Sequence, residues 1–368
     1  MFDARLINDP FDDPGVFVEL KYRREALLLD LGDVRVLSPR NLLKISHIFI
    51  SHTHVDHFIG FDHLVRICLG RDRTIRLFGP PGFIRNVENR LGSYTWNLVE
   101  NYDNDFDLEV TEVLVTEKKS CRFRCRNAFR KEAEAAGMIA DGVLVDHPFY
   151  QVRTESLDHR IPSLAFALEE KFRINIRKDV LREMAVPPGP WLMELKDRIA
   201  GHADPDTPIR ASWRDETDGS CREQVFTLGE LREKLVLITK GMKIAYIGDA
   251  IYHAENEAKM LAIAEGADLL FIEAPFLHED AGRAAEKYHL TARQAGTVAR
   301  KAGVKRMTLY HFSPKYQGQG DRLQKEAIRA FSGQDCFDTG HRRCLPDSAG
   351  KRRRAGLPRD FGSSIHRN

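Results

Sequence analysis

Residues 48–57 read I-F-I-S-H-T-H-V-D-H, so three histidines and one aspartate fall within six residues. The apolar first half predicts a strand, because β-branched and aromatic residues dominate it. In an extended chain, His52 and His54 point to the same side, and Asp56 and His57 follow where the chain turns. Imidazole and carboxylate are ligands of zinc, so the segment predicts a metal site. The alternative is a polar turn that happens to be rich in histidine.

Other residues of metal-binding types also follow apolar strands. Asp249, Glu273 and His311 each come directly after a predicted strand, as His52 does. His159 lies in a connection between two predicted strands. In α/β sheets the loops at one end of the strands carry the chemistry. A lone histidine is ordinarily structural and a lone Gly-Asp is often a helix cap, but their joint placement predicts one site built from distant segments.

The elements that would position these residues alternate along much of the chain. The predicted strands are residues 16–20, 26–31, 47–51, 75–78, 108–115, 120–126, 149–155, 164–169, 243–247, 269–272 and 306–310. The predicted helices are residues 58–68, 83–91, 256–265, 291–302 and 324–331. The first two strands predict a hairpin. Thr291 and Gln294 stand at capping-box positions, and Gly303 lies just past the end of that helix.

Two segments interrupt this pattern. Residues 171–235 are rich in Pro, Asp and Arg and predict an insertion, or a protruding arm, between two core strands. A long surface connection without a role is the alternative. Residues 340–368 contain eight Lys/Arg and two Asp and predict a disordered basic tail. The remainder, residues 1–339, is expected to form one domain.

Composition limits the classes of function. The net charge is +2, and the tail contributes +6, which leaves −4 for the rest of the chain. Any contact with nucleic acid is therefore expected to be local. No apolar run is long enough to span a membrane, and residues 1–13 have no basic and apolar signal pattern. The six cysteines show no C-x-x-C spacing, which favours reduced thiols and a cytoplasmic location.

These motifs together resemble the metallo-β-lactamase fold and, within it, the ribonuclease Z branch. Residues 52–57 match its H-x-H-x-D-H motif, residues 157–159 resemble its second histidine motif, and residues 248–250 resemble its bridging aspartate. Residues 311–316, H-F-S-P-K-Y, are close to H-F-S-x-R-Y. Residues 272–276 resemble the E-A-T-F motif of this branch, and residues 288–295 resemble its H-S-T-A-x-x-A motif. Residues 186–191 resemble the start of the region near its tRNA-gripping arm. The resemblance extends from about residue 28 to about residue 330.

The chain also departs from this branch. Residues 8–14, N-D-P-F-D-D-P, stand where the branch has a Gly-rich segment. Lys315 replaces an arginine and Leu290 replaces a serine. All positions that match metal ligands keep a ligand residue.

The resemblance implies a four-layer αββα sandwich that binds two zinc ions, although other divalent metals could occupy the same donors. The implied ligands are His52, His54 and His159 for one ion, Asp56, His57 and His311 for the other, and Asp249 between them. It also implies attack on a phosphodiester by a hydroxide bridged between the zinc ions.

Further roles follow from the same resemblance. His289 would protonate the leaving oxygen, and Glu273 would orient it. Asp56 would also accept a hydrogen bond from the attacking hydroxide. Ser313 and Lys315 would hold substrate phosphate.

The leading hypothesis is an endoribonuclease that removes the 3′ trailer of precursor tRNA and leaves a 3′-hydroxyl and a 5′-phosphate. The resemblance suggests a homodimer. A second hypothesis keeps the metal site for a small phosphodiester or another ester, and a third is a metal-binding module without turnover. An insertion that folds as a basic protrusion would favour tRNA, whereas one that packs over the site would favour a small substrate.

Overall fold

The computed structural model describes residues 2–21, 23–215 and 217–334. Its first large sheet contains eight strands in chain order. The central strands β3 to β6 pair in parallel, and the pairs on either side are antiparallel. The strands are β1 Phe2–Leu6, β2 Val16–Leu20, β3 Ala26–Leu29, β4 Ile45–Phe49, β5 Arg73–Gly79, β6 Phe106–Val113, β7 Glu117–Arg124 and β8 Ala135–Met138.

A second large sheet follows. The later strands of the chain are β9 Val143–Asp146, β10 Tyr150–Asp158, β11 Pro162–Glu170, β12 Arg173–Ile176, β13 Pro208–Arg214, β14 Cys221–Thr227, β15 Val236–Thr239, β16 Lys243–Ile247, β17 Leu269–Glu273 and β18 Met307–Tyr310. Six of them form the second sheet in the order β18-β17-β16-β11-β10-β9, in which β16, β17 and β18 are parallel. The pairs β12–β15 and β13–β14 form two small antiparallel sheets.

The helices are α1 Pro39–Leu42, α2 Val55–Phe58, α3 Phe61–Cys68, α4 Phe83–Gly92, α5 Lys178–Glu183, α6 Trp191–Ala200, α7 Leu228–Leu235, α8 Ala254–Ala264, α9 Ala281–Glu286, α10 Ala292–Lys301 and α11 Gly320–Ser332. Helices α1 to α4 and α8 to α11 pack on the outer faces of the two sheets, and α5 to α7 belong to the insertion. Short 3₁₀ turns span Val99–Asn101, Cys125–Asn127, His278–Asp280 and Pro314–Tyr316. Within the described ranges, no helix is long and apolar enough to cross a membrane.

The strand alternation divides the apolar side chains among three cores. On β4, Phe49 lies between the sheets, where its ring centroid is 5.5 Å from that of Phe166 on β11. Its neighbour Ile48 joins the core beneath α3 and α4. A third core, which includes Ile247 and Val298, lies between the second sheet and helices α8, α10 and α11. The layer order is helix, sheet, sheet, helix, so the predicted αββα sandwich is confirmed.

The insertion is folded and leaves the sandwich at the end away from His159. Strand β11 begins near this histidine and runs away from it, and the chain returns on β16 after residue 242. Apolar side chains of the insertion, such as Leu195, Ile209 and Leu231, join the core between the sheets. Arg23, in the turn between β2 and β3, pairs with Asp197 of α6. Residues 171–242 contain 13 Lys/Arg and 12 Asp/Glu, so the insertion is not strongly basic.

Most predicted elements occur within a few residues of their expected positions. The predicted helix at 58–68 is instead two helices, α2 and α3, separated at Gly60. A Cβ atom at Gly60 would lie 2.2 Å from the carbonyl oxygen of Gly32, so only glycine allows this close approach of the two segments. Strands β1, β8, β9 and β12 to β15 and helices α1, α5 to α7 and α9 were not predicted. The predicted tail, residues 340–368, lies outside the described residues.

Candidate active site

The candidate ligands lie where one end of the first sheet meets the same end of the second. Asp249 follows β16, Glu273 ends β17 and His311 follows β18, so these parallel strands deliver them to one edge. The loop after β4 reaches the same place, because the Leu164 amide of β11 donates to the Ser51 carbonyl at 2.8 Å. The predicted convergence of strand ends is therefore present in the structure.

The donor atoms form overlapping groups. In each group, the potential ligand atoms lie within 4.8 Å of one another. The groups are His52, His54, His159 and Asp249; Asp56, His57 and His311; and Asp249, Glu273, His289 and His311. The first two correspond to the two predicted ligand sets, and all seven predicted ligands are present in them.

Asp249 lies at the centre and is 2% exposed. Its Oδ2 atom is 3.7 Å from His52 Nε2, 3.4 Å from His57 Nε2 and 3.6 Å from His159 Nε2. Its Oδ1 atom is 3.0 Å from His311 Nδ1. Because one carboxylate faces ligands from both predicted sets, it is positioned to be shared between two ions.

Hydrogen bonds fix which ring nitrogens face this centre. His159 Nδ1 lies 2.7 Å from the Tyr288 carbonyl oxygen, so this nitrogen carries the proton and Nε2 is left for a ligand. His57 Nδ1 lies 2.8 Å from Asp30 Oδ2, which likewise leaves its Nε2 facing Asp249. His311 Nε2 lies 3.0 Å from Asp56 Oδ2.

Asp30 is a site residue that the sequence pattern did not reveal. It is fully buried and accepts hydrogen bonds from the Ser51 amide at 2.6 Å, the Ser51 hydroxyl at 2.8 Å and the Tyr246 hydroxyl at 2.5 Å, besides its contact with His57. Its backbone φ of 55° lies in the left-handed region, so the chain leaves the extended conformation directly after β3. A carboxylate directly after an apolar strand was the available signal, the same signal that identified Asp249.

Glu273 has a comparable role in the second sheet. It is fully buried, and its Oε1 atom accepts hydrogen bonds from the Ala250 amide at 2.9 Å and the Leu290 amide at 3.0 Å. Its Oε2 atom lies 2.7 Å from His289 Nδ1 and 3.5 Å from His311 Nδ1. The predicted pairing of Glu273 with His289 is thus present in the geometry.

Electrostatics at the centre suit a bound cation. Burial lowers the pKa of His52 to about 2, which keeps its imidazole neutral. Burial opposes a charge on His57, but Asp249 and Asp30 outweigh it and raise the pKa to about 10. Burial likewise disfavours the carboxylate of Asp56, but hydrogen bonding to His311 and the charge of His57 hold its pKa below the usual value. The carboxylates therefore require positive charge, which a proton or a metal ion can provide.

Two buried polar atoms support the metal interpretation. Within the described part of the chain, His57 Nε2 and Asp249 Oδ1 are buried and form no well-aligned hydrogen bond, although each has a charged neighbour within 3.4 Å. Such groups are costly to bury unsatisfied, and both face the donor cluster. Imidazole nitrogens and carboxylate oxygens are a donor set that suits zinc. The residues therefore fit the metal centre that the sequence predicted.

Ser313 and Lys315, the predicted phosphate contacts, lie beyond the cluster in the segment after β18. The Ser313 hydroxyl accepts a hydrogen bond from the Lys315 amide at 3.4 Å. The Lys315 ammonium lies 2.5 Å from Asp280 Oδ2, and its side chain is 40% exposed. Lys315 would have to exchange this carboxylate for phosphate in order to bind substrate.

Comparisons with known proteins agree with the motifs. No family model matches the chain. The chain is 29% identical over 342 residues to Ribonuclease Z of Deinococcus radiodurans, and the matched region covers 90% of this chain and 96% of that protein. It is 27% identical over 333 residues to Ribonuclease Z of Methanothermobacter thermautotrophicus, with 87% and 88% covered.

Structural comparison identifies the same fold. The chain is similar to the metallo-β-lactamase fold protein YhfI from Bacillus subtilis, with a TM-score of 0.50, 16% identity, and coverage of 89% of this chain and 92% of that one. The predicted fold and the predicted resemblance are both confirmed.

Proposed function

We propose that this chain, a ribonuclease Z-like protein of the metallo-β-lactamase fold, is a metal-dependent phosphodiester hydrolase that removes the 3′ trailer of precursor tRNA. The observation that carries the proposal is the convergence of seven potential ligands, Asp249 at their centre, next to the pair formed by Glu273 and His289. Relatives named Ribonuclease Z match most of the chain, which favours RNA over a small phosphodiester.

Two zinc ions are the proposed cofactors. One would be held by His52, His54 and His159, the other by Asp56, His57 and His311, with Asp249 shared between them. Bound metal ions of this kind lower the pKa of water and offset negative charge on phosphate oxygens. The buried His57 Nε2 and Asp249 Oδ1 atoms, neither of which forms a well-aligned hydrogen bond, support this assignment.

His289 is the proposed proton donor. Its Nδ1 atom is engaged by Glu273 at 2.7 Å, so Nε2 is the nitrogen available to the leaving oxygen. Burial disfavours the protonated ring, but Glu273 outweighs burial and raises the pKa of His289. Protonation of the O3′ oxygen would release a 3′-hydroxyl on the tRNA and leave the 5′-phosphate on the trailer.

The other chain residues would position the reactants. Asp56 would accept a hydrogen bond from the attacking group, since its low pKa keeps it ionised. Ser313 and Lys315, in the segment after β18, would hold phosphate at the edge of the site. The proposal also includes a homodimer and a cytoplasmic location. The homodimer rests on the family resemblance. The cytoplasmic location is supported by the free, buried thiols of Cys68 and Cys121.

A comparison of two substrates tests the proposal. Zinc-loaded protein is incubated with a precursor tRNA that carries a 3′ trailer and, separately, with a small aryl phosphodiester. We expect cleavage of the precursor after the mature 3′ end, with a 3′-hydroxyl on the tRNA. An Asp249→Ala variant controls for contaminating nucleases. Intact precursor together with efficient cleavage of the aryl ester would contradict the proposal.

A further inference from the structure

Two exposed basic residues adjoin the contact between His159 and the segment that carries His289. Arg160 follows His159 in the turn between β10 and β11, and Lys287 follows α9, one residue before Tyr288. His159 Nδ1 and the Tyr288 carbonyl oxygen lie 2.7 Å apart, although 129 residues separate them in the chain. The fold therefore brings two basic residues from distant segments to the same part of the site.

Backbone hydrogen bonds fix the turn at Arg160. The His159 amide donates to the Ile161 carbonyl at 3.0 Å, and the Arg160 amide donates to Asp158 Oδ1 at 2.7 Å. Arg160 has a φ of 62°, in the left-handed region that favours glycine. Because an arginine is costlier than glycine in this conformation, we expect its side chain to have a role outside the turn.

Helix α9 ends in a similarly fixed turn. Tyr288 has a φ of 59°, and its amide donates to the Ala285 carbonyl at 3.1 Å. The His289 amide donates to the Ala284 carbonyl at 2.9 Å. This pair of hydrogen bonds is typical of a helix that ends with a left-handed residue. Lys287 is therefore held in place two residues before the proposed proton donor.

Neither positive charge is compensated. Among the residues that the structure describes, no carboxylate forms an ion pair or hydrogen bond with the Arg160 guanidinium or the Lys287 ammonium. The carboxylate of Asp158 is engaged elsewhere, by the Arg160 amide at 2.7 Å and by His253 Nε2 at 3.4 Å. Lys315, in contrast, already pairs with a carboxylate. Arg160 and Lys287 are therefore available to an anion that enters the site.

We propose that Arg160 and Lys287 bind a phosphate of the RNA strand next to the scissile phosphate, an inference that rests on the proposed function. The ring centroids of His159 and His289 are 4.9 Å apart, so both basic residues adjoin side chains of the reaction centre. Guanidinium and ammonium groups are common partners of backbone phosphates, and such contacts position a strand without reading its bases. The two residues would thus hold the strand in register for cleavage, whatever its sequence.

The test removes each charge while keeping the turns. Arg160→Gly suits the left-handed backbone, Arg160→Lys keeps a positive charge, and Lys287→Ala removes the second charge. Steady-state cleavage of precursor tRNA is measured over a range of salt concentrations. We expect the double variant, Arg160→Gly with Lys287→Ala, to raise KM about tenfold at low salt and to reduce the slope of log KM against log salt by about one. Arg160→Lys should restore most of the loss caused by Arg160→Gly.

Neutral linkages identify the phosphate that is bound. Two further precursors each carry one uncharged methylphosphonate, at the phosphate immediately upstream or immediately downstream of the cleavage site. We expect one of them to raise KM for wild type and to abolish the difference between wild type and the double variant. A difference that persists with both precursors would overturn the inference, because neither flanking phosphate would then be the ligand.

Matched controls come from the opposite end of the second sheet. Arg306→Ala and Lys240→Ala remove exposed basic side chains shortly before β18 and β16 begin, whereas the site lies where these strands end. Thermal denaturation and elemental analysis check the fold and the zinc content of every variant. An unchanged KM in the double variant, or an equal rise in the controls, would also overturn the inference. Wild-type protein that cleaves no RNA would overturn the proposed function itself, and this is seen before any variant is compared.

Discussion

Asp30 in the first sheet and Glu273 in the second are fully buried carboxylates that hold the two halves of the centre in different ways. Asp30 accepts hydrogen bonds from Ser51 and Tyr246 and contacts one proposed ligand, His57. Glu273 accepts two backbone hydrogen bonds and contacts the proposed proton donor His289. In the proposed mechanism the first carboxylate would therefore support metal binding alone, whereas the second would also support the proton transfer.

The two sheets also contribute their ligands differently. The first supplies four from six consecutive residues, whereas the second supplies His159, Asp249 and His311 from three separate segments. Each proposed metal position takes two ligands from the first sheet, one from the second, and the shared Asp249. Bound metal would therefore hold the two sheets together at this edge, and its removal should lower the thermal stability.

The largest expected effect is at the proton donor. His289→Ala should lower turnover of precursor tRNA by about 10²–10⁴-fold, because general acid catalysis contributes that much. The zinc content should stay near that of wild type, since His289 is outside both proposed ligand sets. Elemental analysis of the same preparation checks this, and a loss of zinc would contradict the assignment of His289 as proton donor.

The two carboxylates can be compared directly. Asp30→Asn should weaken zinc binding by about 10–100-fold, as the loss of a hydrogen-bonding partner behind a ligand does, and Glu273→Gln should mainly lower turnover. Zinc affinity is measured by competition with a chelator. Asp33→Asn, a partly exposed carboxylate paired with Arg35, is the matched control. Equal loss of zinc affinity in both buried variants would remove the distinction between them.

The pH profile separates the two roles further. Protonation of the leaving oxygen requires protonated His289, so turnover should fall as pH rises through the pKa of this histidine. Glu273 raises that pKa. Glu273→Gln should therefore move the falling limb of the kcat profile to lower pH. A limb that stays in place would show that the titrating group is not the histidine paired with Glu273.

The smallest expected effect is at the ion pair of Asp280 and Lys315, at the edge of the site. Asp280 pairs with Lys315, and surface ion pairs of this kind contribute only about 0–1 kcal/mol. If Lys315 binds phosphate, Asp280→Ala should lower KM for RNA by a few-fold at low salt, and Lys315→Ala should raise it. The effect should shrink as salt is increased. An unchanged KM in both variants would exclude Lys315 from substrate binding.

The sequence predicted those parts of the centre that depend on short-range pattern. Ligand-type residues directly after apolar strands identified His52, Asp249, Glu273 and His311, because parallel strands bring their ends to one edge. Asp30 was missed although it also follows an apolar strand, because the predicted strand at residues 26–31 extended past it, whereas β3 ends at Leu29. Its contact with Tyr246, 216 residues away, leaves no local pattern in the sequence.

The insertion was the least predictable region. Its boundaries were visible in composition, but strand β14 is exposed along most of its length and lacks the alternation that marks a half-buried strand. The packing of Leu195 and Leu231 into the core between the sheets depends on where the chain leaves β11, which only the topology defines.

The number of zinc ions bound per chain tests the central claim most directly. Metal-free protein is titrated with zinc, freed of excess metal by gel filtration, and measured by elemental analysis. Two ligand sets that share Asp249 predict two zinc ions per chain. One ion, or none, would contradict a two-metal centre built from both sheets.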